Sequence, residues 1–425
     1  LTKNARAVAL AFLLVFVNGG LGFLYVFDGW PQDTSRLADV FTGYYRAPAN
    51  MPEYNLRWVN VICDMMVPQR TLLGGWVTLL PALYLLQEAL RAPRRKLFAG
   101  LGVWAGLMPM VHTHSFVALA LLSFGAMVSR LIRDREHTRE TLACFALYAG
   151  VAGALALPQF LTWTLPQTVG GGALALRFNW VNSNGSSLID GYLWFWLKNV
   201  GPVFLLIPLA CVNAGSRGRA LSLGALTVFV VAETIQFQPN EYDNNKLFYV
   251  AFLAVMPLVG ALLSRLWDRL RGIRGRGVLA AAFLTVWLLS GGLSLAREAI
   301  SDYELFGADE ARAADYIRQN AEEDAVFLTS DQHTNVPATL AGRKIVCGTG
   351  SYLYYHGLDY DDRQFAAQEM LQRPVETAAL YQKYGVNYVY LSDHERYGAD
   401  ADEEALRARF PLWYEDGRVT ILKVG

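Results

Sequence analysis

Nine apolar runs, at 7–27, 72–90, 97–111, 116–131, 142–165, 192–212, 221–237, 247–266 and 278–295, constrain this chain more than any other feature. As helices each is close to long enough to cross ~30 Å of hydrocarbon, the third and fourth being the shortest. The buried helices of a large soluble core would give similar runs, so the connectors decide. Arg91, Arg94, Arg95 and Lys96 follow the second run, Arg130, Arg133, Arg135 and Arg139 the fourth, Arg217 and Arg219 the sixth, and five arginines between 265 and 276 the eighth. Basic residues in every second connector are the signature of cytoplasmic loops. Lys3 and Arg6 put the amino end on that side, and nine crossings then place the carboxyl end outside.

The expected fold is an α-helical polytopic membrane domain over 1–296, with an external loop at 28–70, followed by a soluble extracytoplasmic α/β domain over 297–425. In the latter, short apolar strands, "AVFLTS", "KIVCG", "NYVYLS", "PLWYED" and "RVTILKV", alternate with helical segments such as "DEARAADYIRQN" and "DDRQFAAQEMLQR". "NVPATLAGR" reads as a short helix capped by Asn335 and stopped at Gly342. With 53% hydrophobic and 17% charged residues the chain is no disordered segment. It has no P-loop, complete GxGxxG or zinc-finger spacing, and no basic extramembrane face for nucleic acid. Of four cysteines only Cys63 and Cys347 lie outside the runs, so a bridge between them is open, although spacing cannot fix one.

The external connectors hold the candidate chemistry. Asp28 and Asp33 follow the first run directly. "HTHS" places His112 and His114 where a divalent metal could share them, but two imidazoles are not a site, and bonding to carbonyls or headgroups suits them as well. Glu233 lies inside a run, where a charge is functional or neutralised by a partner. "QPNEYDNNKLFYV" concentrates Glu241, Asp243, Asn244, Asn245 and Lys246 at the start of a helix, whose amino end favours anions. Arg70 and Lys246 are cations at one depth, suited to a phosphate or to snorkelling. In the soluble domain Asp331, His333 and Asn335 fall at the carboxyl end of a strand, where α/β sheets bind ligands.

Many spans, an acidic first external loop and an external carboxyl-terminal α/β domain resemble the C-type (GT-C) polytopic glycosyltransferases. More closely, "VPQRTLLGGW", "MVHTHSFVALAL", "EYDNNKLFYV" and "VFLTSDQHTNVPATLAGRKIVCGTGSYLYYHG" look like segments of GT-C-like proteins of bacteria and archaea. The resemblance implies a plasma-membrane enzyme that moves a sugar from a polyprenyl-phosphate donor to a glycan or lipid acceptor, without a certain cofactor. The family's catalytic acid stands just after its first span, which matches Asp28 or Asp33. Leu1 is no initiator, so that acid is expected upstream if the amino end is truncated. "SDQHTNVPATLAGR" sits where oligosaccharyltransferases carry an acceptor-binding motif, but lacks its tryptophans, which argues against a peptide acceptor. On this reading Arg70 and Lys246 hold the leaving phosphate and Asp331, His333 and Asn335 position the acceptor. The alternatives are a transporter or flippase of lipid-linked glycans, whose repeats and broken helices are not visible here, and a membrane scaffold without chemistry.

Overall fold

The structure, a computed structural model, describes residues 3–27, 40–41, 47–91, 93–168, 174–183, 189–238, 240–356 and 358–424. The chain divides into two compact units: Leu1–Pro166 with Gly172–Ser301, and Asp302–Gly425 with the short segment Gln167–Gly171.

The first unit is almost entirely helical, and each of the nine apolar runs contributes helix. Among the described residues only five helices are long and apolar enough to cross a membrane: Arg70–Arg91, Thr113–Arg133, Thr138–Thr164, Glu241–Gly272 and Arg276–Ile300. That is fewer than the nine spans expected from the apolar runs. The first run is α-helical only over Ala5–Phe16, 12 residues, about 18 Å at 1.5 Å per residue, with a separate 3-10 turn at Gly22–Phe27. It stops because the Asn18 amide turns away to donate to the Val200 carbonyl at 2.9 Å and Gly20 takes a left-handed φ of 65°. The third run gives 13 helical residues, Arg95–Leu107. The sixth is broken: Tyr192–Val200 and Val203–Val212 meet at 98°, so they count as a sixth span only if taken together. Gly201, at φ 85°, and Pro202 make that corner. Ser216–Thr234 is 19 residues long but opens on Arg217 and Arg219. Parity of nine crossings therefore no longer fixes which side carries the carboxyl end.

Small residues let these helices approach. A Cβ on Gly125 of Thr113–Arg133 would lie 2.5 Å from Gly224 Cα in Ser216–Thr234, so the two backbones touch directly, the contact that membrane helices use where no hydrophobic effect drives them together. Elsewhere aromatic rings fill the interior. Trp58 packs on Tyr249 with centroids 4.4 Å apart, and Trp196 on Phe248 and Phe229 at 4.8 and 5.2 Å. A two-residue antiparallel pairing, β1 (Ala175–Leu176) with β2 (Ile235–Gln236), ties the connector before the broken helix to the end of Ser216–Thr234.

The second unit is a five-stranded mixed sheet: β3 (Val326–Leu328), β4 (Lys344–Ile345), β5 (Val386–Leu391), β6 (Leu412–Asp416) and β7 (Val419–Lys423), in the order β4-β3-β5-β7-β6. β4, β3 and β5 run parallel, while β7 pairs antiparallel with β5 and with β6. Alternation along β5 serves both faces. Tyr388 and Tyr390 pack with Ala313 and Ile317 of helix Ala308–Asn320, and Val389 and Leu391 with Met370 and Leu406 on the other side. A strand covered twice reads as the continuous apolar run "YVYL" after Asn387. All five strands fall on segments whose sequence reads as strand, and Asn335 caps Val336–Thr339 as its sequence suggests, accepting from Ala338 N at 3.3 Å.

Asp309 joins the first turn of helix Ala308–Asn320 to the β6–β7 hairpin. Its carboxylate accepts from Arg418 N at 2.9 Å, Arg418 Nε at 3.3 Å and Glu310 N at 3.0 Å. The Arg418 backbone N–H, with the Arg418 guanidinium and Glu310 N–H, holds its pKa at about 2. A carboxyl with a depressed folded-state pKa stabilises above its unfolded value and loses that contribution as pH falls through the folded one. Asp309→Asn is expected to cost about 1–2 kcal/mol at pH 7, with the difference from wild type vanishing between pH 4 and 2, read by hydrogen exchange of the β5 and β7 amides in the full chain.

Candidate functional site

The segment 47–66 is mostly irregular, yet residues 55–61 are all buried. Backbone polar groups there need partners, and asparagine side chains supply them. Asn199 Oδ1 accepts from Arg57 N at 2.6 Å and Trp58 N at 3.0 Å, while its Nδ2 donates to the Asn55 carbonyl at 3.1 Å. Asn245 donates to the Arg57 carbonyl at 2.9 Å and Tyr249 to that of Val59 at 2.7 Å. Asn60 caps the short π-helix Val61–Met66 and reaches the Phe16 carbonyl at 3.0 Å.

Two ion pairs sit in this framework. Arg57, its side chain 4% exposed, pairs with Glu241, and its Nε donates to Asn55 Oδ1 at 3.3 Å. Lys198, 2% exposed, pairs with Asp190 and donates to the Tyr54 carbonyl at 2.6 Å. Asn55 links the two, donating to Asp190 Oδ2 at 3.0 Å. Beside them, in the π-helix, burial drives the half-buried Asp64 carboxyl up to about 6, against the Asn60 N–H bond that lowers it, with Glu298 adding to the rise.

Helical phase separates the polar residues of Glu241–Arg269. Asp243 and Lys246, three apart, share one face, and Glu241, Asn245, Phe248 and Phe252 another. On the first face Lys246 Nζ donates to Asp243 Oδ1 at 2.5 Å, and His114 Nε2 stands 4.0 Å from the same oxygen. The His112 and His114 rings are 5.4 Å apart, and His112 Nδ1 shares a hydrogen bond with Ser115 at 2.8 Å while its buried Nε2 has no partner among the described residues. Gly75 of Arg70–Arg91 admits this turn, since a Cβ there would meet His112 Nδ1 at 2.5 Å.

The second face leads into a groove. About 540 Å³ in volume, it begins at Trp58, passes Trp196, Phe229, Phe248 and Phe252, and ends near Arg219 and Ser222. Its walls come from the broken helix, Ser216–Thr234 and Glu241–Arg269. Apart from Arg219 and Ser222 its lining is apolar, and the buried Arg57–Glu241 pair, outside that lining, precedes Trp58 by one residue in the chain.

Of the residues singled out from sequence, His112, His114, Asp243 and Lys246 come together from connectors 130 positions apart. Others have different duties. Asn244 donates to the Ala232 and Ile235 carbonyls, both at 2.7 Å, and Asn245 to that of Arg57, so neither amide is turned to an anion as the helix start suggested. Glu241 is held by Arg57. Arg70 is exposed, and no contact joins it to Lys246. Glu233 is buried beside Tyr192. Asp28 and Asp33 lie outside the described residues. In the second unit Asn335 is buried and structural, donating to Thr329 Oγ1 at 2.5 Å. Asp331 and His333 are exposed, the first accepting from Gln364 at 2.7 Å. All four cysteines are free thiols, so the Cys63–Cys347 bridge is absent. Among the described residues no three metal-binding side chains converge. Sequence reading passed over Arg57, Asp64 and Lys198. The last carried a signal, a lysine inside an apolar run, which is rarely idle.

These features define an integral membrane protein, mostly helical, with an aromatic-lined apolar groove in its helical unit and a small α/β unit beside it in sequence. No protein-family model and no curated protein matches the sequence. Two solved structures of an archaeal oligosaccharyltransferase from Archaeoglobus fulgidus are similar at 13% identity. One, tethered to an acceptor peptide containing the NVT sequon, has a TM-score of 0.38 over 92% of this chain and 55% of that one. The other, AglB with an inhibitory peptide and a dolichol-phosphate, has a TM-score of 0.40 over 96% and 59%. The chain thus spans a little over half the length of the proteins it matches, and neither fold membership nor activity follows from similarity at this level.

Asp64 offers a test of the site's electrostatics. A carboxyl whose folded-state pKa is raised costs stability when ionised; the cost appears above its unfolded value near 3.8 and is complete above about 6. Asp64→Asn, which keeps an acceptor for Asn60 N–H, is expected to stabilise the protein at pH 7.5 by about 1–2 kcal/mol and to leave it unchanged at pH 4. Thermal unfolding in detergent at the two pH values reads this directly; equal shifts at both would contradict the burial of a charged Asp64.

Proposed function

We propose that this chain is a glycosyltransferase-like membrane protein that uses a polyprenyl-phosphate-linked sugar as donor and transfers the sugar to a glycan or lipid acceptor on the extracytoplasmic face. The observation that carries this reading is the apolar groove with the buried Arg57–Glu241 pair one residue before its Trp58 wall: an apolar slot lined by tryptophan and phenylalanine suits a polyprenyl tail, and a buried arginine beside that wall suits the phosphate. In the reaction an acceptor hydroxyl attacks the anomeric carbon and gives its proton to a carboxylate. The bond from that carbon to the phosphate oxygen breaks, and the phosphate leaves with the electron pair, its charge met by Arg57 with Arg70 or Lys246 as further cations.

Asp28 and Asp33 of the 28–70 loop are the proposed bases, and Asp64, in the same loop, has the protonation behaviour of one near neutral pH. The cluster of His112, His114, Asp243 and Lys246 is assigned to donor or acceptor binding, and a divalent metal there would need a further ligand. The unit 302–425 is placed outside, with Asp331 and His333 toward the acceptor.

A second reading, a transporter or flippase of lipid-linked glycans, is favoured by the broken 192–212 helix with Lys198 buried beside the break, a feature of membrane carriers. Reconstitution in vesicles with a panel of polyprenyl-phosphate hexoses separates the two. Transfer predicts release of free polyprenyl phosphate, slowed about 100-fold in Arg57→Ala and at least about tenfold in Leu226→Trp, which fills the groove without touching the ion pairs. Movement of intact donor between leaflets with no release would favour the carrier. Unchanged rates in Leu226→Trp at unchanged thermal stability would remove the groove from either function.

A further inference from the structure

The carboxyl ends of β3 and β5 are neighbours in the sheet, but the chain leaves them in opposite directions, from β3 out to β4 at one edge and from β5 on toward β6 and β7 at the other. Such a point of divergence opens a crevice outside the strand ends, where α/β sheets bind ligands. Here the two loops that bound it are fixed. The buried carboxylate of Glu395 accepts from Ser330 N and Oγ at 2.8 and 2.6 Å after β3, and from Ser392 N and Oγ at 2.8 and 2.6 Å after β5. Every lone-pair direction of that carboxylate is met within the protein, so it shapes the crevice and does not face a ligand.

Inside lies a cavity of about 120 Å³ bounded by Asp331, Gln332, Gln364, Gln368 and Ala399, where one water needs roughly 10–15 Å³ of the same measure. Among the described residues no lysine or arginine lines it, which disfavours phosphate, nucleotide or carboxylate ligands. Three primary amides and one carboxylate instead offer paired donors and acceptors, the set that answers adjacent hydroxyls. Gln364 Nε2 already orients Asp331 through a 2.7 Å bond, while the side chains of Gln332 and Gln368 make no hydrogen bond among the described residues. At the rim the backbone of Gly350 abuts Gln364: a Cβ there would stand 3.1 Å from its Nε2. Two residues on, Tyr352 is 56% exposed, its ring 6.0 Å from that of His333.

We propose that the 302–425 unit carries a saccharide-binding site in this crevice, where Asp331, Gln364 and Gln368 bond the hydroxyls of a neutral sugar and the exposed Tyr352 ring stacks on its apolar face. The site does not rest on the transferase reading, since a unit can hold a glycan whatever the helical unit does with a lipid.

The test titrates the full chain in lipid nanodiscs with soluble oligosaccharides of mannose, glucose, galactose and N-acetylglucosamine, up to about 10 mM, using saturation-transfer NMR and calorimetry. At least one sugar series is expected to bind, with affinity falling about tenfold or more in Gln364→Ala and in Tyr352→Ala, and unchanged in Val375→Ala, an exposed site elsewhere on the unit. Hydrogen exchange of the β5 amides confirms that each variant is folded. Absence of binding across the panel, or binding that survives both crevice variants, overturns the proposal. Arg57→Ala should leave saccharide binding intact, so a failure of the transferase reading and a failure of this one are told apart.

Discussion

Irregular backbone packed among apolar helices has no water to satisfy it, and the cost of each unmet N–H or C=O is several kcal/mol in hydrocarbon. The stretch 55–60 meets that constraint with amides from two helices: Asn199 of the broken helix bonds Arg57 N, Trp58 N and the Asn55 carbonyl, and Asn245 of Glu241–Arg269 bonds the Arg57 carbonyl. The polar site follows from this arrangement. Once the stretch is fixed, Arg57 is directed to Glu241, and Trp58 is directed into the aromatic interior on Tyr249 and Phe252. One buried segment therefore holds both the Arg57–Glu241 pair and the Trp58 wall of the groove.

The break at Gly201 has a matching role. Because Tyr192–Val200 turns by 98° into Val203–Val212, Lys198 and Asn199 are directed inward against the 47–66 segment, while Phe204, Ile207 and Pro208 line the groove. Lys198 would be costly alone, and Asp190 with the Tyr54 carbonyl offsets that cost. A continuous helix through this run would present the same side chains around its whole circumference and leave no slot.

Much of this was legible in the residues. The run lengths and basic connectors marked a helical membrane unit, and strand alternation marked the sheet of 302–425 almost element by element. The convergence of His112, His114, Asp243 and Lys246 could be suspected from their shared position at run ends. The length of each helix was not legible, because hydropathy does not register a break made by Asn18, Gly19 and Gly20 within an apolar run. Nor were the duties of Asn244 and Asn245. An amide at a helix start reads as a cap or anion donor, and only the neighbouring segment, nearly 190 positions away, shows Asn245 spent on a backbone carbonyl. Arg57 was hidden for the same reason: its partner Glu241 is distant in sequence and its loop looked merely polar.

The central claim is that the groove and Arg57 form one amphipathic site for a lipid phosphate. Its most direct test is an experimental structure of the full chain in nanodiscs containing polyprenyl phosphate. The account predicts density for the phosphate beside Arg57 and for the tail between Trp196, Phe229 and Phe252. Phosphate density at the His112–Lys246 cluster with an empty groove, or a groove filled only by bilayer lipid at saturating polyprenyl phosphate, would contradict it.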